Sequence, residues 1–135
     1  MSTLLVEQDG PLAIVRLDKG RGNAIDDALL ADLTDWSGEA ARDDTLRGIM
    51  LASAHPKLFC PGLDLLSLVD LDREAMSDFM GRFAATLWSL YGLLKPMVAC
   101  VNGRDSGMGS PSRTAAQTRP VGRPPSAPAR SRPCD

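Results

Sequence analysis

Two short apolar runs, Leu4 to Gln8 and Leu12 to Leu17, flank Asp9-Gly10 near the start of the chain. Asp-Gly between such runs predicts a β-hairpin with a type I′ turn, whose two central residues both need φ > 0. Pro11 directly after it is an irregularity that only a strand's first residue or an edge tolerates. KGRGNA (Lys19 to Ala24) has no periodicity and two glycines, which predicts a loop. Leu29, Leu30, Leu33 and Trp36 then share one helical face behind Asp26-Asp27, two acids suited to the positive end of a helix dipole. That helix should fade near Ser37-Gly38.

Gly48 to Ala52 is a continuous apolar run, as in a strand buried on both faces. SAHPKLFCPG follows and predicts a loop, with a short helix after it. From Arg73 to Leu94 the apolar residues Met76, Phe79, Met80, Phe83, Leu87, Leu90, Tyr91 and Leu94 recur at three- and four-residue steps. This predicts a long helix packed into a core, capped by Asp70 or Asp72 and stopped by Lys95-Pro96. Met97 to Val101 predicts another buried strand, ended by Asn102-Gly103. Hairpin, helix, strand, short helix, long helix, strand is an α/β order in which helices join parallel strands.

Composition divides the chain. Its 135 residues suit one domain. Residues 1–103 hold 9 Lys+Arg against 15 Asp+Glu, a balance of −6, whereas residues 104–135 hold 6 Arg against 2 Asp, or +4. The latter segment carries six of the ten prolines and no Leu, Ile, Phe, Trp or Tyr. It cannot bury enough apolar area to offset its ordering entropy, so a disordered tail is expected. The acidic start predicts no secretory leader, and no run approaches the ~18 apolar residues of a membrane span. Cys60, Cys100 and Cys134 have no metal-like spacing; reduced thiols in a cytoplasmic protein are the plainer expectation.

The hairpin, RGNAIDDALLADL after it, FCPGLDL, and KPMVACVNG behind a long helix stand in one order. In that order they resemble the crotonase, or enoyl-CoA hydratase/isomerase, superfamily over about residues 4 to 110. FCPGLDL with LWSLYGLLKP looks closest to the Δ3,Δ2-enoyl-CoA isomerase branch. The resemblance implies an incomplete crotonase-like ββα spiral in residues 1–110, an acyl-CoA-binding domain, with a disordered Arg/Pro/Ser/Ala-rich tail at 111–135. It also implies fatty-acid chemistry, the hydration or double-bond isomerisation of enoyl-CoA thioesters. No metal is implied, and no cofactor beyond the CoA of the substrate.

Residue by residue, the resemblance makes the backbone N–H of Leu63 a donor of an oxyanion hole. Gly62, with Pro61 before it and Asp64 after, lets the backbone approach the substrate. A preorganised amide of this kind suits the charge that a thioester carbonyl gains during reaction. The second donor falls on Met108, where the family has small residues and a Met crowds the site. Lys19, Arg21, Asn23 and Ala24 match the CoA-binding loop, with Lys19 and Arg21 as phosphate partners. By charge alone, a solvated basic loop fits them equally.

The glutamate of hydratases falls on Pro111, and no acid stands between Asp105 and Asp135. The family's trimer-forming segment also has no match, although the family is trimeric or hexameric. The expectation is therefore the front half of such an enzyme, followed by a tail translated out of frame, with little or no turnover by itself. The alternative is a non-catalytic CoA-binding or hetero-oligomerising module.

Rival chemistries are weaker. Cys60 has no oriented base and is expected as a small filler. His55 is expected on an exposed loop. RDSGMG lacks the His and carboxylate a serine protease needs. Asp64 is expected to serve the start of a short helix. Six tail arginines without aromatic stacking groups do not make a nucleic-acid surface.

Overall fold

The computed structural model describes residues 2–20, 22–101 and 104–105, the last two by backbone only. Strands β1 (Leu4–Asp9) and β2 (Leu12–Leu17) form the expected hairpin, in register from Leu4↔Leu17 to Asp9↔Leu12. The turn itself is shifted. Its central residues are Gly10 and Pro11, and only Gly10 has φ > 0, at +56°. Proline cannot take the second positive φ of a type I′ turn, so the signs are those of type II′, with Gly first. Pro11 thus belongs to the turn, and its carbonyl accepts from Arg47 N at 2.7 Å, where the next strand begins.

Helix α1 (Asp27–Arg42) starts at Asp26, whose carboxylate accepts from Leu29 N at 3.0 Å. It runs past Ser37-Gly38 rather than fading there. The Ser37 hydroxyl is buried and satisfied, bonding to Thr34 O and Ser89 Oγ, and Ala40 on the next turn packs into the core. The ammonium of Lys95 closes the helix by donating to the carbonyls of Ala40 and Asp43. A cation there also suits the negative end of the helix dipole.

Strand β3 (Gly48–Ser53) pairs parallel with β2, Ile14 against Met50, and β5 (Met97–Ala99) pairs parallel with β3. The main sheet therefore has the order β1-β2-β3-β5. Ala13, Val15, Leu17 and Ile49 point from one face into a core with Leu29, Leu33, Trp36 and Ala40 of α1. On the opposite face Ala52 is buried while Ile14 and Met50 are half-buried, so the second side of β3 is covered fully only towards its end.

The presumed loop Ser53 to Gly62 contains a further strand, β4 (Leu58–Cys60), which pairs parallel with β6 (Arg104–Asp105). Helix α2 (Leu65–Leu68) is one turn long. Helix α3 (Arg73–Tyr91) is capped by Asp72, which accepts from Ala75 N at 2.8 Å, and it ends at Gly92. Phe79 of α3 packs with Leu30 of α1 and Leu68 of α2 in a second core.

The expectation that the whole α3 stripe is core is corrected. Phe79 is buried, while Met80, Leu87, Tyr91 and Leu94 are exposed. The reason is that α1 meets α3 through Thr34–Thr86, Ser37–Ser89 and Asp27–Arg82, which covers only one flank of the apolar arc. The α/β order is as expected: hairpin, then helical crossovers. The tail expected at 111–135 lies outside the described residues.

Candidate active site

The loop after β2 is organised by Asn23. It sits at φ +66°, a left-handed conformation that Asn tolerates better than other non-glycine residues, and it is 1% exposed. Its amide Nδ2 donates to Ser53 Oγ at 2.7 Å and to Phe59 O at 2.8 Å. Its Oδ1 accepts from Lys19 N at 2.8 Å, and its carbonyl accepts the Cys60 thiol at 3.3 Å. The Nδ2 group thus holds the loop against β3 and β4, while Oδ1 closes the loop on itself. Gly22 beside it has φ +84°, and a Cβ there would lie 2.5 Å from Leu58 Cδ1.

Two backbone bonds then join this loop to the Gly62 turn. Ile25 N donates to Gly62 O at 2.8 Å, and Asp64 N donates to Ile25 O at 2.8 Å, a short parallel bridge centred on Ile25 and Leu63. Gly62 makes the turn at φ +101°. The carbonyl of Gly62 and the N–H of Leu63 belong to one planar trans peptide and so point in opposite directions. With the carbonyl aimed at Ile25, the Leu63 N–H is aimed away from it. Among the described residues no acceptor takes that hydrogen. The Leu63 side chain meanwhile packs against the second core and fixes the turn.

A charged cluster clips the same two segments. The Lys19 ammonium touches the Asp26 carboxylate, lies 3.9 Å from Asp64 Oδ2, and donates to Ala24 O at 3.0 Å. One cation between two carboxylates leaves the cluster negative. Burial would push Asp26 up, but hydrogen bonds from Lys19 and from the Leu29 and Ala28 amides, with the Lys19 charge, hold it below the ordinary carboxylate range. Lys19 is therefore neither a solvated loop cation nor a free one. Asp64 precedes α2 but makes no side-chain cap there; its carboxylate faces Lys19 instead. Pro61 is exposed at the edge of the turn.

The structure thus brings Lys19, Asn23, Ala24, Gly62, Leu63 and Asp64 together. Arg21 and Met108 lie outside the described residues. Sequence reasoning missed Ile25, which contributes only backbone and carries no residue-type signal. It also missed Ser53, whose hydroxyl donates to Leu58 O at 2.7 Å. His55 is half-buried rather than an exposed loop residue, because its Nδ1 accepts from Lys57 N and Leu58 N, both at 3.1 Å. Cavities of about 190 Å³ beside Leu93 and about 230 Å³ beside Trp36 lie elsewhere, and neither is lined by the Gly62 turn. Among the described residues no helix is long and apolar enough to cross a membrane.

A profile of enoyl-CoA hydratase/isomerase sequences matches residues 7–119. The chain belongs to the enoyl-CoA hydratase/isomerase family. The match runs past residue 110, the end of the expected domain. A carnitinyl-CoA dehydratase of Salmonella arizonae is 34% identical over 111 residues, covering 79% of this chain and 41% of the relative. The structure of Pseudomonas aeruginosa DspI superposes with a TM-score of 0.72 at 25% identity, over 76% of this chain and 42% of that one. Human mitochondrial delta3-delta2-enoyl-CoA isomerase shares the fold, with a TM-score of 0.71 at 23% identity, over 75% and 40% of the two chains. The chain spans about two fifths of the length of the curated relatives it matches.

Proposed function

We propose that this chain binds acyl-CoA thioesters with the carbonyl oxygen on the Leu63 N–H, the binding step of enoyl-CoA hydration or double-bond isomerisation. The observation that carries the reading is the direction of that N–H, fixed by the Ile25 bridge and left without an acceptor among the described residues. As an α-proton leaves or water adds at the β-carbon, negative charge moves onto the thioester oxygen. A donor held in place by its own peptide plane stabilises that charge without reorganising.

Ala24 and the backbone around Pro61 and Gly62 border the acyl-CoA in this reading, with Asn23 shaping the loop and Arg21 taking the phosphate charge. Lys19 acts through Asp26 and Asp64, holding the two segments in register. Met108 stands at the second donor position. Because Pro111 occupies the position of the hydratase glutamate, the chain by itself binds substrate and turns it over little or not at all. Free Cys60 and Cys100 thiols support a cytoplasmic setting.

Calorimetric titration of the chain with a short enoyl-CoA tests the binding step, and a coupled assay tests turnover. Saturable heat that Leu63→Pro abolishes, with the far-UV spectrum kept, supports the reading. No heat at millimolar ligand refutes acyl-CoA binding, and turnover near that of full-length family enzymes refutes the weak-turnover part. Where turnover is measurable, losing one oxyanion donor lowers it by about 10²–10³.

A further inference from the structure

We infer that Ser53 and His55 are positioning residues for the Leu63 N–H: through strand β4 they set the direction in which that donor points. The inference rests on the reading of this N–H as the seat of the thioester oxygen, and the two side chains act through the backbone rather than on the substrate. Strand β4 belongs to the two-stranded sheet with β6 and, among the described residues, shares no ladder with β3. Side-chain hydrogen bonds hold it beside the main sheet instead.

The Ser53 hydroxyl is the junction. It is buried at the end of β3, opposite Leu17 of β2. A hydroxyl has one donor and two acceptor positions. Here it donates to Leu58 O at 2.7 Å and accepts from Asn23 Nδ2 at 2.7 Å and from His55 N at 3.0 Å. One atom thus ties both β4 and the loop after β2 to the sheet. His55 takes the other side of the same residue: its Nδ1 accepts from Leu58 N and from Lys57 N, both at 3.1 Å. Leu58, the first residue of β4, is held at its carbonyl by one side chain and at its N–H by the other.

The link from there to the donor is short. Pro61 and Gly62 alone separate the end of β4 from Leu63. The ring of Pro61 fixes its φ, and Gly62 is held at φ +101° with its carbonyl bonded to Ile25 N. With so few free dihedrals between them, a slide or rotation of β4 carries the Leu63 peptide with it. The Ile25 bridge couples the turn to the loop after β2, so the two would move together against β3 if the Ser53 bonds were lost. Such a movement matters, because a misplacement of about 1 Å can cost ~10²-fold in rate.

His55 gives the cleaner test, because it is half-buried on a loop and belongs to neither core. The Oδ1 of Asn stands as many bonds from Cα as the Nδ1 of His and accepts in the same kind of turn, whereas Leu is of similar size and has no acceptor. In the isotope-labelled full chain without ligand, the residual dipolar coupling of the Leu63 N–H reads the direction of that bond. Titration with a short enoyl-CoA reads the consequence. His55→Leu is expected to change the coupling and weaken binding about tenfold, with the couplings of α1 and the circular dichroism spectrum kept. His55→Asn should restore both. Ser53→Ala should act like His55→Leu, and Ser53→Thr, which keeps the hydroxyl, should stay near the parent. Thr45→Ala removes side-chain bonds at the opposite end of β3 and should change neither reading. An unchanged Leu63 coupling in His55→Leu or in folded Ser53→Ala overturns the inference. So does an equal change in Thr45→Ala, or a His55→Asn chain that behaves like His55→Leu. The His55 pair decides by itself if Ser53→Ala does not fold. If the coupling responds as expected but the parent chain gives no heat with enoyl-CoA, the positioning role stands and the acyl-CoA reading falls.

Discussion

At Asn23 one residue type satisfies two demands that usually conflict. Its left-handed φ favours glycine, yet its side chain supplies hydrogen bonds to Ser53, Phe59 and Lys19 at a buried position. Asn23→Ala keeps the strained φ, loses those bonds and leaves buried partners unpaired. The expected loss is about 2–5 kcal/mol by urea denaturation, from a net ~0.5–1.5 kcal/mol for each of the three lost bonds and up to ~1 kcal/mol of added backbone strain. Asn23→Gly relieves the strain alone, and should lose about 1 kcal/mol less. Equal losses in the two variants would show that φ contributes nothing. The neighbouring Asp26 sets a pH dependence. Its folded-state pKa lies below the unfolded value of 3.8, so its contribution is full above that value and is lost as pH falls through the depressed one. Asp26→Asn should therefore flatten the acid limb of the stability curve below about pH 4 and leave the alkaline side unchanged. An acid limb as steep as that of the parent chain would contradict the Lys19–Asp26 assignment.

Among the elements, legibility followed the length of the pattern. α3 was plain because nineteen residues repeat the helical period between Asp72 and Gly92. Its surroundings were not, since periodicity marks an apolar arc without saying how much of it a neighbour covers. β4 was hidden for the opposite reason: three residues carry no period, and its partner β6 begins more than forty residues later. The Gly62 turn could be found by motif, but the Ile25 bridge that aims its peptide depends on backbone pairing across 37 residues. Phe79 and Leu87 belong to the same sequence stripe and separate these cases by experiment. Phe79→Ala opens the second core and should cost about 3–5 kcal/mol. Leu87→Ala, at a half-exposed position, should stay within about 1 kcal/mol. Comparable losses at both sites would mean that α3 is enclosed on all sides.

For the molecule as a whole, the sheet and α1 close around one core, while α2 and α3 add a smaller one on the far side of α1. Apolar surface left over on α3 and on the open face of the sheet is consistent with a chain that spans two fifths of its relatives' length. The two tryptophans report on these two situations separately. Trp36 is 9% exposed in the main core, and Trp88 stands on the outer face of α3. In Trp88→Phe the remaining indole should resist quenching by acrylamide until the chain unfolds. In Trp36→Phe the remaining indole should be quenched freely in the folded chain, because Trp88 is 70% exposed. Protection of Trp88 in the folded chain would place a neighbour over the outer face of α3 and contradict its exposure.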